Sequence, residues 1–567
     1  MMPNPIPPAD AAGRTVSAMV RRRRQRAIAA GAVLIVAAVD IVGALAPRSE
    51  LEVHDIAQSL PLGLAQGSRV LLLVVGLGLA VLARALWRGY RLAWMVALGL
   101  GVASALFHLG RDLQAPSVVL SLALVGALAA TAGAFRAHAR VASLPAVGVL
   151  ALMLAGIVVY GLAGWNEREG GLPNVGLGRR LSAVARATAS LDPGVTPSTS
   201  SAQAFLDSFR IFGAMLVLGC GAAVLRPVLA ARSRPDEDEL RIFLATHGRS
   251  STAPLAGLPG NTVLRLLDGA AVVGAKVVGG VAVTVGEPVA EVAAQERALG
   301  AFVALCERNG WLPVLMSVDE AGAERGRALG FSALKLGEEA IIGLGEFSLA
   351  GKARANVRHS VTRAEKAGLS TLRYTAEVRT AARDKELRAI SDAWLASKHG
   401  PELGFTLGRF DPDRLEAQET YVAEAEGAVQ TFVTWLPYDA GRAAVLALMR
   451  RGPECPPGAM ELLIARSLED LRSRGFVTAS LSGVPLASTT DREGRLGEIL
   501  GWVYDHGGAV YEAAGLFRFK DKFAPRWDPI YLLYPTAADL PRITVAIGRA
   551  FLPASLLGSL RAFLRST

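Results

Sequence analysis

The chain changes character once, near Pro235, and that break limits what it can fold into. Residues 27–231 are almost all apolar and helix-forming; from there to Pro535 short apolar runs alternate with Gly and Asp turns. A chain of 567 residues that is 51% hydrophobic and only 19% charged does not read as one ordinary water-soluble domain. The apolar part takes roughly 230 residues, leaving enough for two modest domains with cores of their own. The expected division is a transmembrane domain at 1–235, α/β domains at 236–345 and 346–540, and a basic amphipathic helix at 541–567.

Six apolar stretches approach the length needed to span a bilayer: Ala27–Ala46, Val70–Trp87, Leu92–Leu109, Ser117–Phe135, Val141–Trp165 and Ile211–Ala231. The expected fold class is therefore an α-helical transmembrane bundle followed by α/β domains. Arginines orient it. Arg21, Arg22, Arg23, Arg24 and Arg26 precede the first stretch, Arg84, Arg88 and Arg91 separate the second and third, and Arg136 and Arg140 follow the fourth. All fall on one side, which predicts a multi-pass protein of the cell membrane with its catalytic half and both termini cytoplasmic. The loop 166–203 would lie outside. Asp40 lies inside the first stretch, where a helix-packing role competes with a functional one.

The water-soluble half repeats a pattern. A strand at Val281–Val285 leads to a helix ending at Asn309, then to a strand at Leu312–Val318. Later, strands at Ala428–Leu436 and Ala443–Met449 lead to the helix Ala459–Arg474 and the strand Phe476–Leu481. Two rounds of strand–strand–helix–strand imply tandem domains of the acetyltransferase-like (GNAT) order. No Gly-rich loop opens a helix with the spacing that cradles pyrophosphate, so coenzyme A is not the expected donor. Cys220, Cys306 and Cys455 are far apart and lack metal-ligand spacing, and the histidines form no metal or triad arrangement. Neither metal nor cofactor is expected. The net charge of +10 favours phosphate-rich partners, although cytoplasmic loop bias accounts for part of it.

An ordered set of motifs then narrows the reading. Gly337-Glu338-Glu339-Ala340 is followed by Phe347-Ser-Leu-Ala-Gly351, Asn356-Val-Arg358 and Arg363-Ala-Glu365. Phe405-Thr-Leu-Gly-Arg409-Phe-Asp411 comes next, then Leu448-Met449-Arg450 and Pro457-Gly458-Ala459-Met460-Glu461. Leu481-Ser482-Gly483-Val484-Pro485-Leu486 and the run Phe517–Trp527 close the set. In these motifs the chain resembles the synthase domain of the multiple peptide resistance factor family, the phosphatidylglycerol lysyltransferases. It departs from that family in a shorter membrane half, and in Ala447 where an acidic residue is expected.

The resemblance implies transfer of an amino acid, by default lysine, from aminoacyl-tRNA to the glycerol hydroxyl of phosphatidylglycerol. That would lower the negative charge of the membrane and give resistance to cationic antimicrobial peptides. The partners implied are aminoacyl-tRNA, phosphatidylglycerol and the lipid bilayer; a homo-oligomer is left open. Because the donor is already an activated ester, positioning and oxyanion stabilisation can carry the catalysis.

Arg450, Glu461 and Ser482 are the candidate catalytic residues. Arg409, Asp411, Arg518, Lys520, Lys522 and Arg526 are candidates for substrate binding, and Asn356 and Arg358, in a basic helix, for tRNA. If Arg518–Arg526 is extended, its bases share one face and can clasp a lipid phosphate. Each has a plainer reading: Arg450 in an ion pair, Glu461 at a helix start, Ser482 in a turn, Asp411 with Pro412 in an ordinary turn or helix start, and the bases of 518–526 and of the helix at 356–358 on a solvated surface. Two other functions fit parts of the pattern. One is an aminoacyl-tRNA-dependent transferase acting on a peptide or cell-wall precursor; the other is a lipid-translocating protein with a regulatory soluble domain.

Overall fold

The computed structural model describes residues 15–45, 79–137, 156–213, 237–397, 404–485 and 513–551. Within these, residues 81, 112–114, 163–164, 166–171, 190, 201, 204, 211, 407, 409, 413–414 and 416–417 are excepted. The chain forms two compact units, one mostly of residues 18–228 and one mostly of residues 229–567.

The first unit is helical. Its long elements are α1 (Thr15–Leu45), α2 (Arg91–Arg111) and α3 (Ala115–Ala130), which coincide with three of the expected spans. Small residues let them pack closely: Ala29, Ala30 and Ala37 of α1 and Ala93 and Ala97 of α2 are buried with Leu124 and Leu128 of α3. Among the described residues no helix is long and apolar enough to cross a membrane. Helix α1 begins with an arginine-rich stretch, and α3 has 16 residues against the roughly 20 a span needs. The second expected span is described only in part, and the fifth and sixth mostly lie outside the described residues. So do Cys220 and most of the loop before Leu177. Of the described residues in the loop 166–203, Leu177–Thr188 form α4.

The second unit opens with α5 (Glu237–His247). It is built on one continuous twelve-stranded sheet rather than two separate ones. The first repeat contributes β1 (Thr262–Leu266), β2 (Ala271–Val278), β3 (Val281–Val285) and β4 (Val289–Ala290). Helix α6 (Gln295–Asn309), β5 (Leu312–Val318), α7 (Glu320–Ala328) and β6 (Ser332–Gly343) complete it. The second repeat contributes α8 (Ala355–Lys366), β7 (Ser370–Arg373), α9 (Ala381–Ala396), β8 (Glu419–Ala425), β9 (Ala428–Tyr438) and β10 (Ala443–Arg451). It ends with α10 (Ala459–Ser473), β11 (Thr478–Pro485), α11 (Ala513–Asp521), β12 (Arg526–Tyr534) and α12 (Leu540–Phe551).

In each repeat the helix crosses over to make a parallel pair, β3 with β5 and β10 with β11, as a strand–helix–strand connection requires. The repeats interlock. Strand β12, from the end of the chain, lies between β5 and β6, and β6 pairs onward with β11. Pro529 sits in the first half of β12, which pairs with β6 alone; the contact with β5 begins at Tyr531. A proline is tolerated where a strand has one neighbour.

Two of the expectations change here. The basic run 518–526 is not one extended stretch: α11 holds its first part, and β12 starts at Arg526. The amphipathic C-terminal helix, as far as it is described, is not an exposed element. Leu540, Ile543, Ala546, Ile547 and Ala550 of α12 are buried against Val281 and Val283 of β3 in one cluster. The sheet gains more from that apolar stripe than water does. Residues 552–567 lie outside the described residues.

Candidate active site

The sheet of the second repeat comes apart in the middle. Strands β10 and β11 pair in parallel only from Ala443↔Thr478 to Val445↔Ser480. Beyond that point β10 continues against β9 alone and β11 against β6 alone. A bulge sits on each strand where they part, between Leu446 and Leu448 on β10 and between Ser480 and Gly483 on β11. Bulges turn strands and re-aim side chains. Ser482 lies in the second bulge with φ 72°, a left-handed conformation costly for any residue with a Cβ. Its hydroxyl donates to the Leu446 carbonyl at 2.9 Å and so bridges the two bulges.

Lys520 of α11 reaches the same place. The residue is only 3% exposed, and its ammonium donates to the carbonyls of Ser482 at 3.0 Å and Gly483 at 3.2 Å. Burial pulls its pKa from the ordinary lysine value to about 7, with the charge of Glu339 pulling back upward. Glu339, on β6, is half-buried, with its carboxyl at the sheltered end. Loss of solvation raises its pKa, while hydrogen bonds from Ser251 and Ser480 and the charge of Lys520 lower it. Ser480 donates to that carboxylate and accepts from the Ser482 amide. The result is a sheltered polar cluster at the parting of the sheet.

Two further charged groups flank it. Glu461 occupies the first turn of α10, favourable ground for an acid. It is nearly buried and accepts from Lys522 at 2.8 Å. Gly458 precedes α10 with φ 91°, and a Cβ there would meet the Ser360 carbonyl of α8 at 2.4 Å. Only glycine permits α8 to hold the start of α10 so closely. Arg450 lies on β10 past its bulge and is 6% exposed. Its guanidinium covers the Trp394 ring of α9 with 4.0 Å to the centroid, and its carbonyl accepts from Thr431.

The remaining candidates disperse. Arg526 forms a paired contact with Asp528 at 2.7 Å but is 73% exposed on its side chain, so the pair adds little stability. Arg518 is exposed on α11. Asn356 is exposed on α8, whereas Arg358 donates to the Leu349 and Gly351 carbonyls and holds the preceding loop. Asp411 is half-buried just after Phe410, which packs on Phe432; Arg409 lies outside the described residues. Of the four bases in the run 518–526, the fold thus brings Lys520 to Ser482 and Lys522 to Glu461, and keeps Arg518 and Arg526 on the surface. Residue patterns had not singled out Trp394, Ser251, Ser480 or the role of Glu339. Only Glu339 left a signal, as one of two adjacent acids in a strand bounded by apolar residues. Among the described residues no cluster of His, Cys, Asp or Glu could hold a metal ion.

A tandem α/β unit with a parted parallel pair beside a crossover helix has the GNAT-like strand order. Its family is narrower than that. Residues 241–534 match the family described as "Phosphatidylglycerol lysyltransferase, C-terminal", and the chain belongs to that family. Curated relatives carry the description lysylphosphatidylglycerol biosynthesis bifunctional protein LysX. The one from Nocardia farcinica is 30% identical over 505 residues, covering 85% of this chain and 44% of that protein. The one from Mycobacterium tuberculosis is 29% identical over 494 residues, covering 82% and 42%. The chain therefore spans less than half the length of these relatives. Among solved structures, L-PGS from Bacillus licheniformis superposes with a TM-score of 0.51 at 26% identity. That match covers 57% of this chain and 98% of the other.

Proposed function

We propose that the protein transfers lysine from lysyl-tRNA to a glycerol hydroxyl of phosphatidylglycerol. The observation that carries this is the sheltered cluster at the parting of β10 and β11, in a domain of the phosphatidylglycerol lysyltransferase family.

The reaction exchanges one ester for another. The lipid hydroxyl oxygen forms a bond to the lysyl carbonyl carbon, the bond to the ribose oxygen of tRNA breaks, and the proton lost by the hydroxyl ends on that ribose oxygen. Lys520 suits the first proton transfer. As a neutral amine it keeps two N–H groups, matching the carbonyls of Ser482 and Gly483, and is left with a lone pair. A pKa of about 7 makes that neutral form abundant at physiological pH. Arg450 is placed to bind an anionic group, the lipid phosphate or the developing oxyanion, with its plane fixed on Trp394. Glu461 offers a carboxylate to the ammonium groups of the lysyl moiety in exchange for Lys522.

The first unit is the membrane anchor in this reading, a multi-pass bundle with the catalytic unit and both termini on the cytoplasmic side, where tRNA is found. In support, Leu34, Ile35, Trp87, Met95, Val119 and Leu122 are exposed on its helices, more apolar surface than water favours. The product lipid carries extra positive charge and would repel cationic antimicrobial peptides. Expression in a bacterium that has phosphatidylglycerol but no aminoacylated lipid tests the reading. Mass spectrometry of the lipids should reveal lysyl-phosphatidylglycerol, and membrane-inserted protein with no new amine-bearing phospholipid would refute it.

A further inference from the structure

We infer that α4 (Leu177–Thr188) is a surface helix that lies in the headgroup layer of an anionic bilayer. The inference rests on the membrane reading above.

The helix is held by one side. Ala183, Val184 and Ala187 are buried with Ile157, Phe205 and Phe209. These partners belong to the end of the fifth expected span and the approach to the sixth, so α4 lies where those spans meet the interface. Gly161 confirms how closely it sits, since a Cβ there would meet Val184 at 2.8 Å. Trp165, at the end of the fifth span, donates its indole N–H to the Pro173 carbonyl just before α4. An aromatic with one polar edge suits the same layer.

The sides of α4 that remain exposed differ in chemistry. Leu177 is 61% and Leu181 36% exposed, one turn apart on one flank. Arg179 and Arg186 are exposed on the other. At about 100° per residue, the two pairs point roughly 170° apart around the axis. The helix contains three arginines and no acid. A helix held sideways against protein, with leucines along one flank and arginines along the other, fits a boundary between hydrocarbon and anionic phosphate. A solvated loop helix has no reason to expose leucines one turn apart. Asp192 supports the arrangement, since its carbonyl accepts from Arg186 and steadies the basic flank.

Depth measurements on the full chain in phosphatidylglycerol-containing nanodiscs test this. A nitroxide is placed by Leu181→Cys, Arg179→Cys or Leu122→Cys, with Cys220, Cys306 and Cys455 replaced by alanine. Collision rates with oxygen, which partitions into lipid, and with a nickel chelate, which stays in water, give the depth. The expected oxygen-to-nickel ratio at position 181 is severalfold that at 179, and it falls toward the 179 value in discs made of phosphatidylcholine alone. Equal ratios at 181 and 179 overturn the assignment, and ratios at 181 that ignore lipid charge overturn its anionic part. Position 122, exposed in the fourth expected span, separates the causes. A lipid-like 122 with a water-like 181 removes the surface helix alone, whereas a water-like 122 removes the membrane reading and this inference with it.

Discussion

Lys520 shows how far burial can change what a residue does. On a surface its charge would be permanent and suited to a phosphate; under the parting of β10 and β11 its pKa falls to about 7. The sign of the consequence follows. Below about pH 7 the amine holds its extra proton and has no lone pair, and above it the neutral form can accept one. Initial transfer rates, corrected for ester hydrolysis, should therefore rise between about pH 6 and 8 and level off. Lys520→Arg keeps the charge but cannot lose it, and should cost about a hundredfold or more in rate while abolishing that rise. A variant that keeps both rate and pH profile would move the proton acceptor elsewhere. Arg450 and Trp394 act as a pair. Arg450→Ala removes a charged hydrogen-bonding group worth about 1.5–3 kcal/mol, or ten- to a hundredfold in turnover. Trp394→Leu should lose the smaller cation–π share, about 0.5–2 kcal/mol, and leave the thermal transition in place. Full activity in both variants would detach this pair from the reaction. Arg450, Glu461, Ser482 and Lys520 stand out as candidates in the sequence because motifs surround them, although there Lys520 reads as a phosphate binder and not as a proton acceptor. Trp394 was not, because its contact with Arg450 joins a helix to a strand that its position along the chain does not reveal.

At the scale of elements, regular strands and helices were readable and their exceptions were not. Strands β3 and β5 fall where apolar runs and Gly turns place them, and α10 starts directly after Pro456-Pro457-Gly458. The bulges at Leu446–Leu448 and Ser480–Gly483 left no such mark, since one extra residue in a strand does not disturb composition. They nevertheless make the site, by separating two strands that would otherwise stay paired. The run 518–526 was misread because aromatic and basic residues alternate over a stretch too short to tell period 2 from period 3.6. Gly458 offers a test of how the site is supported. Gly458→Ala must hold a left-handed backbone at about 1–2 kcal/mol and also push the Ser360 carbonyl away. The unfolding midpoint in denaturant should fall, and transfer should drop as Glu461 shifts with the start of α10. An unchanged midpoint would mean that the contact between α8 and α10 yields easily.

The second unit as a whole is less divisible than its repeated sequence implies. A boundary near residue 345 separates two rounds of the pattern, but the sheet crosses it. Strand β12 comes from the second round and lies between β5 and β6 of the first, while β6 supplies Glu339 to a cluster that also holds Ser480 and Lys520 of the second. One apolar cluster also holds Val283 and Val314 of the first round with Val445 of the second, under α12. This exchange could not be read from the sequence, because every strand involved satisfies its own local pattern whichever neighbour it takes. It predicts shared stability. Leu533, fully buried on β12, faces the tight packing of α7, where a Cβ on Gly326 would already meet it at 2.4 Å. Leu533→Ala should cost about 2–5 kcal/mol. If the unit is one cooperative body, hydrogen exchange should speed up together in β3 and β10, which lie on opposite sides of β12 in the sheet order and do not pair with it. Faster exchange in β3 and β5 alone, with β10 unchanged, would show two repeats that fold separately and merely touch. In that case the second repeat should keep its structure when the first is destabilised, although the cluster around Lys520 would still lose Glu339 and with it the group that tempers the lysine's pKa.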